Sequence, residues 1–313
     1  MRIPTRFARA FPALFCFLAS LGYGCWAIAE EDPNTDQVVQ PAAEAEIPWI
    51  RLERTDAKRP SALQTAVVRY RPAAGNANGP TVDLIAAIHV GDETYYEGLN
   101  EEFKQYDALL YELVAPKGTK IPKGGKASSN SGVGALQNGL KSLLNLEHQL
   151  EKVDYTPENF VHADMSPEEF SKKMEERDES FFKLFLRIMV EGMANQNQPA
   201  ATFSDTDLLV ALFSKDRTNK LKMMMAEQFA GMESMMVSLG GPDGSTIITE
   251  RNKVALEVLK TELAQGRQKV GIFYGAGHMN DMDQRLRNEF KLVPTETRWL
   301  TAWDLNAKPA AKP

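Results

Sequence analysis

The stretch Thr81–Pro116, TVDLIAAIHVGDETYYEGLNEEFKQYDALLYELVAP, decides the fold. It opens on an apolar run, Val82–Val90, with His89 next to its end. Asp92 stands where a helix N-cap belongs, and Tyr95, Tyr96, Leu99, Phe103 and Tyr106 follow at helical spacing. A second apolar run, Ala108–Ala115, holds Glu112 as its only charged residue. Strand, helix and strand within about 35 residues read as a βαβ unit with a right-handed crossover. Parallel strands point their C-terminal ends to one sheet edge, where ligands of open α/β sheets collect. His89 and Glu112 are therefore expected to share an edge. A carboxylate inside an apolar strand is costly to bury unless a proton, a cation or a metal compensates it. The plainer readings are a hydrogen-bonded structural His and one half of an ion pair.

The α/β pattern resumes at Thr246. A helix is expected from about Thr249 to Gln265, opening on Glu250, Arg251 and Asn252 and ended by Gly266. Val270–Tyr274 then reads as a strand leading into Gly275-Ala276-Gly277-His278, a turn whose glycines let the backbone approach a bound group. The chain closes on a strand at Arg298–Leu305 and a polar tail, 307–313. Two short echoes tie this part to the first. His89 and His278 both follow apolar runs, each with an Asp three residues on, Asp92 and Asp281, and a later Glu-Phe pair at 102–103 and 289–290. The two Asp are more simply helix N-caps than ligands.

Upstream, Trp49–Arg54 and Thr65–Tyr70 read as strands, and the turn-rich PAAGNANGP joins the second to the His89 strand as a hairpin. After Pro116, KGTKIPKGGKASSNSGVG is basic and Gly/Ser-rich, but it has no Walker spacing and reads as a surface loop. From about 135 to 240 the pattern turns helical, with Leu136, Leu140, Leu143 and Leu144 on one face. Phe181, Phe182, Leu184, Phe185 and Met189 make another, and Ser166-Pro167-Glu168-Glu169 is a capping box. The Met-rich face from Met223 to Met236 suits core packing better than an adaptable binding surface. His148 and His162, the latter beside Asp164, are expected to be structural. The architecture is thus α/β (α+β): a duplicated βαβ-type core sheet, halves at about 49–116 and 246–306, with a largely helical insertion between them.

Residues 1–29 read as a secretory signal: a cationic start, an apolar stretch, and Ala27-Ile28-Ala29 before Glu30. The segment is short for a spanning helix, so no integral span is expected once it is removed. The exported location is periplasmic or secreted, and a lipid-modified Cys25 is the rival. Cys16 and Cys25 both lie in this segment, so the remainder has neither disulfides nor Cys-ligated zinc. Residues 30–48, acidic and Pro/Ala-rich, read as a linker ahead of a single domain at 49–306. The first 29 residues hold three Arg and no acid, and without them 33 basic residues face 42 acidic ones. A chain of that balance with no basic stripe is a poor partner for nucleic acid.

These residues resemble the TraB/PrgY/GumN family, related to the Tiki proteases and more distantly to ChaN-like and erythromycin-esterase-like proteins. The resemblance rests on Ala86-Ala87-Ile88-His89, on Glu112 in YELVAP, on Arg251-Asn252 and on Gly275-Ala276-Gly277-His278. It covers roughly 65–116 and 246–305, and it departs from the family at Ala86, where a Gly is usual. It implies a duplicated α/β core on which the His and Glu converge. From the Tiki branch it implies a divalent-metal-dependent protease favouring manganese or cobalt.

The chemistry that suits these residues is metal-assisted hydrolysis of a peptide or other amide bond. His89 and His278 would be imidazole ligands, and Glu112 a carboxylate ligand or general base. Such a set suits Mn, Co, Fe or Zn. Arg251 would stabilise oxyanion charge or hold a substrate carboxylate, or else pair with a buried acid such as Glu112. There is no His-Glu-x-x-His and no Gly-x-Ser-x-Gly, so zincin and serine-hydrolase readings have no motif. Three rivals remain: a metal-free hydrolase with His89 or His278 as base, a non-catalytic haem- or peptide-binding protein, and a purely structural polar network. The expected partner is a peptide or small-molecule substrate.

Overall fold

A long strand, β2 (Pro60–Pro72), carries one wing of the sheet. β9 (Leu292–Asp304) runs antiparallel along nearly its whole length, so the other edge of β2 is shared. β1 (Ile50–Arg54) takes the first part of that edge and β3 (Thr81–Ala87) the second, Val67–Tyr70. The hairpin expected between β2 and β3 is present. The other wing is parallel: β3, β8 (Lys269–Gly275), β5 (Ala108–Tyr111) and β7 (Phe160–His162), in that spatial order. The molecule is therefore α/β, built on a seven-stranded mixed sheet. A separate two-stranded ladder joins β4 (Val90–Gly91) to β6 (Glu147–His148).

This is a computed structural model, and it describes residues 47–73, 79–124, 146–180, 183, 205–214, 216–231 and 244–306. The leader at 1–29, nearly all of the 30–48 linker, the Leu136–Leu144 face, the face of Phe181, Phe182, Leu184, Phe185 and Met189, Met232 to Met236 and the 307–313 tail lie outside them. Among the described residues no helix is long and apolar enough to cross a membrane.

The βαβ unit read from Thr81–Pro116 is a split one. Helix α1 (Glu93–Phe103) connects β3 to β5, but β8 enters between them. What repeats is strand, His, helix: β3 leads through His89 to α1, and β8 leads through His278 to α7 (Met279–Asn288). Ala87 lies directly across from Gly275, so both histidines follow adjacent strand ends. The return strands differ, since β5 joins the parallel wing and β9 turns back along β2. Between the halves stand the short helix α2 (Gln149–Lys152), α3 (Pro167–Glu176), α4 (Asp205–Leu212) and α5 (Arg217–Gly231). Ser166 and Glu169 cap α3 reciprocally, as the sequence predicts. Met223, Met224, Met225 and Phe229 of α5 pack against the main core.

Asp92 occupies the N-cap position of α1, but its side chain makes no cap bond. It accepts instead from Lys222 Nζ of α5 at 2.6 Å and from the Asp304 backbone N–H at 2.6 Å. The lysine is 6% exposed, so this pair ties α5 to the end of β9 in a poorly hydrated place. Asp92 thus takes the N-cap place without capping through its side chain, whereas the Asp281 expectation fails. The N-cap of α7 is His278, and Asp281 sits inside the first turn, where it accepts from Asn252 and Arg285.

Losing Asp92 leaves the buried Lys222 charge with only the Asp304 carbonyl, at 3.0 Å, as its acceptor. Asp92→Ala should cost about 3–5 kcal/mol, while Lys222→Met should cost clearly less because Asp92 keeps its backbone donor. Urea denaturation of both variants checks this, and a simple cap loss of about 1 kcal/mol at Asp92 would speak for the N-cap role instead.

Candidate functional site

Three parallel strands end at one edge, and each delivers part of the site. β5 delivers Glu112, which lies one residue past the strand rather than inside it, its N–H still bonded to Phe273 O at 3.2 Å. β7 delivers Asp164 two residues past its end. β8 delivers Gly275 and, through a single 3-10 turn (Ala276–His278), His278. Helix α6 (Arg251–Ala264) covers this edge with Arg251 and Asn252. Its buried positions Arg251, Asn252, Ala255, Leu256, Leu259 and Glu262 form one face toward the sheet. The helix starts two residues later than the sequence predicts because a π-helical turn, Thr246–Glu250, precedes it. Single π turns concentrate at functional sites.

Arg251 bridges the two acids. Its Nε and Nη2 donate to Asp164 Oδ1 and Oδ2 at 2.9 and 2.6 Å, a bidentate pair, and Nη2 also donates to Glu112 Oε1 at 2.7 Å. The arginine is 9% exposed, Asp164 fully buried and Glu112 13% exposed. Burial works against the Arg251 charge, but the two carboxylates outweigh it and raise its pKa. At Glu112 burial likewise favours the neutral acid. His278 when protonated, then Arg251 and His89, override that and hold the carboxyl well below its usual range. Glu112 is therefore an anion, with Oε2 accepting from the Gly275 N–H at 2.7 Å.

His278 is held by Asn252. The amide nitrogen of Asn252 donates to His278 O at 3.0 Å and to Asp281 Oδ2 at 2.8 Å, which leaves its oxygen to face His278 Nδ1 at 2.7 Å. An amide oxygen only accepts, so Nδ1 carries a proton; in the singly protonated ring Nε2 keeps its lone pair, and the Glu112 anion then rests on its bonds from Arg251 and the Gly275 N–H. His278 Nε2 lies 3.5 Å from Glu112 Oε1 and 3.4 Å from Arg251 Nη1. Tyr274 packs edge-on to the His278 ring and donates its hydroxyl to Ala163 O, fixing the segment just before Asp164.

His89 completes the cluster from the open side. It is solvent-exposed, and its carbonyl accepts from the Gln149 N–H at 3.0 Å. A methyl group on Gly275 would lie 3.3 Å from Glu112 Oε2, 3.8 Å from His89 Nε2 and 3.8 Å from the His278 ring. Gly275 is thus the floor over which all three side chains meet. The structure brings together His89, Glu112, Arg251 and His278, the four residues singled out from sequence. Asn252 of the Arg251-Asn252 pair joins them, and the structure adds Asp164, Asp281 and Tyr274. The signal for Asp164 was in FVHADMS, a strand followed by an acid just ahead of a helix cap. His162 stands apart, its Nε2 bonded to Leu113 O at 2.6 Å, and His148 is buried in β6 beside β4.

The donor chemistry of His89, Glu112 and His278 suits a divalent cation, since neutral imidazole and carboxylate are its usual ligands. Among the described residues no three His, Cys, Asp or Glu groups are arranged to enclose an ion, and the cation seated on Glu112 is Arg251. His89 is the exposed member of the set. Comparison of the chain with protein-family models, with curated proteins and with solved structures finds no match.

Asp164→Ala removes the bidentate partner of a buried guanidinium. We expect a loss of about 3–5 kcal/mol in urea denaturation, whereas Arg177→Ala, a half-buried arginine paired outside this cluster, should cost about 1 kcal/mol or less.

Proposed function

We propose that the chain is a hydrolase of peptide or related amide bonds, acting outside the cytoplasm, with His89, Glu112 and His278 activating water. The observation that carries this reading is the meeting of an ionised Glu112 and two imidazoles over Gly275, at the carboxyl edge of the parallel strands. The resemblance to TraB/PrgY/GumN proteins falls on these same residues and supports it.

His89, Glu112 and His278 would hold a divalent metal, Mn, Co, Fe or Zn. Bound there, the metal would lower the pKa of its water toward neutrality. Asn252 fixes the His278 tautomer so that Nε2 presents a lone pair, the outer-shell role that metal-binding histidines commonly need. The Gly275 N–H and Arg251 keep Glu112 ionised and oriented, so it serves as ligand or as proton acceptor without moving. Arg251 Nη1, aimed at the same space, offers a donor to oxyanion charge on the substrate.

A second reading is favoured by Arg251 itself. Its guanidinium already sits on Glu112 Oε1, so the site has a resident cation and hydrolysis could proceed with His89 or His278 as general base and no metal. Binding of haem or of a signalling peptide without catalysis uses the same exposed His89 and remains the non-enzymatic alternative.

Mass spectrometry of the purified chain after exposure to manganese, cobalt or zinc separates these. The metal reading expects about one equivalent bound, lost in His89→Ala and His278→Ala while circular dichroism stays unchanged, and amide hydrolysis abolished by chelator. Hydrolysis that survives chelation, with no bound metal, would transfer the assignment to the metal-free reading. No hydrolysis under either condition would refute the hydrolase.

A further inference from the structure

The side-chain amide of Asn252 has two orientations, and its contact with the His278 ring is compatible with either. As it stands, the amide oxygen faces Nδ1 at 2.7 Å and the ring proton sits on Nδ1. Were the amide reversed, its nitrogen would donate to a bare Nδ1 and the ring proton would sit on Nε2. The surroundings of Nε2 pull both ways. Glu112 Oε1, at 3.5 Å, favours a proton there, and Arg251 Nη1, at 3.4 Å, opposes one. The two forms differ in what they offer a ligand: only the first keeps a lone pair on Nε2.

The far end of the amide decides between them. There the Asn252 nitrogen donates to His278 O at 3.0 Å and to Asp281 Oδ2 at 2.8 Å. A carbonyl and a carboxylate only accept, so a reversed amide would set three acceptor oxygens against one another. Asn252 is fully buried, and water does not relieve such a clash. Of the two acceptors the carboxylate holds the amide harder, because a bond to an ionised group is roughly twice as strong as a neutral one. Asp281 is itself held. It lies in the first turn of α7, three residues after His278. Arg285, one turn on, donates Nε to the same Oδ2 at 2.8 Å and Nη1 to Glu289 Oε1 at 2.8 Å. Arg251 fixes where Asn252 stands, and Asp281 fixes which way its amide faces.

We infer that Asp281 is a positioning residue of the site: acting through Asn252, it holds the ring proton of His278 on Nδ1 and so keeps Nε2 open to an incoming cation. This deepens the hydrolase reading and rests on it for the cation, but the ring proton is located without one. The intact chain labelled with 15N-histidine, at about pH 8.5 and so above the ordinary imidazole range, reveals it by NMR through the ring-nitrogen shifts. His278→Gln identifies the signals of this ring among the four histidines.

The unaltered chain should show His278 chiefly as the Nδ1–H form. Asp281→Leu keeps bulk but removes the acceptor, and should raise the ratio of Nε2–H to Nδ1–H about tenfold, the effect of one hydrogen bond to a charged group. Asp281→Asn retains an oxygen for Asn252 and should hold the ratio within about twofold of the unaltered chain. Calorimetric titration with cobalt alone adds a second readout, about tenfold weaker binding in Asp281→Leu and recovery in Asp281→Asn. An Nε2–H ring in the unaltered chain would overturn the inference, and that result needs no variant to fold. So would a folded Asp281→Leu whose ratio is unchanged, since a merely structural Asp281 lowers stability without moving the ring proton. If the ratio shifts as expected and cobalt never binds the unaltered chain, the positioning role stands and the metal reading falls. If cobalt binds the unaltered chain and Asp281→Leu alike, with the ratio unmoved, the metal reading stands and the positioning role falls.

Discussion

The structure turns on one buried guanidinium. Arg251 reaches from α6 across the strand ends and grips Asp164 beyond β7 and Glu112 beyond β5. Withdrawing three charges from water costs several kcal/mol per ion before pairing repays it, so this arrangement is poor evidence of stabilisation. Its consequence is positional. Because Arg251 is fixed by two acids, Asn252 beside it is fixed too, and Asn252 in turn selects the proton-bearing nitrogen of His278. One ion-pair system therefore sets the charge of Glu112, the tautomer of His278 and the distance between them.

The rest of the fold delivers the parts to that point. Parallel strands with in-register ends bring β3, β8, β5 and β7 to a common edge, and the short turn after β8 leaves His278 almost no freedom. Gly275 matters for space rather than for backbone angle: its φ is −53°, an ordinary value, but a side chain there would press on Glu112 Oε2. His89 differs from its partners in being exposed. Glu112, Arg251 and His278 are held by buried hydrogen bonds, while His89 reaches the cluster from the solvent side.

Much of this was legible. The alternation of apolar runs with His89, Glu112 and His278 near their ends placed these residues at one sheet edge, because side chains just beyond parallel strand ends share an edge whatever their order in the chain. The pair Arg251-Asn252 was visible as a motif, and ion pairing with Glu112 was one of two roles open to it. Strand order was not legible: nothing local in Thr81–Pro116 says that a strand from residues 269–275 slips between β3 and β5. Asp164 was missed for a similar reason, since its partner lies 87 residues away. Asp92 and Asp281 sat at cap-like positions, yet tertiary partners, Lys222 for one and Asn252 with Arg285 for the other, claimed their side chains.

The central claim is that His89, Glu112 and His278 form one ligand-binding centre, with Arg251 as its anchor rather than its occupant. Crystals of the chain soaked in cobalt and measured across the cobalt absorption edge test it most directly. The account predicts an anomalous peak bonded to His278 Nε2 and Glu112, His89 turned inward as a further ligand, and Arg251 still paired with Asp164. Cobalt absent from this edge, with Arg251 and Glu112 still in contact and His89 still turned to solvent, would contradict it and leave a structural ion-pair network in its place.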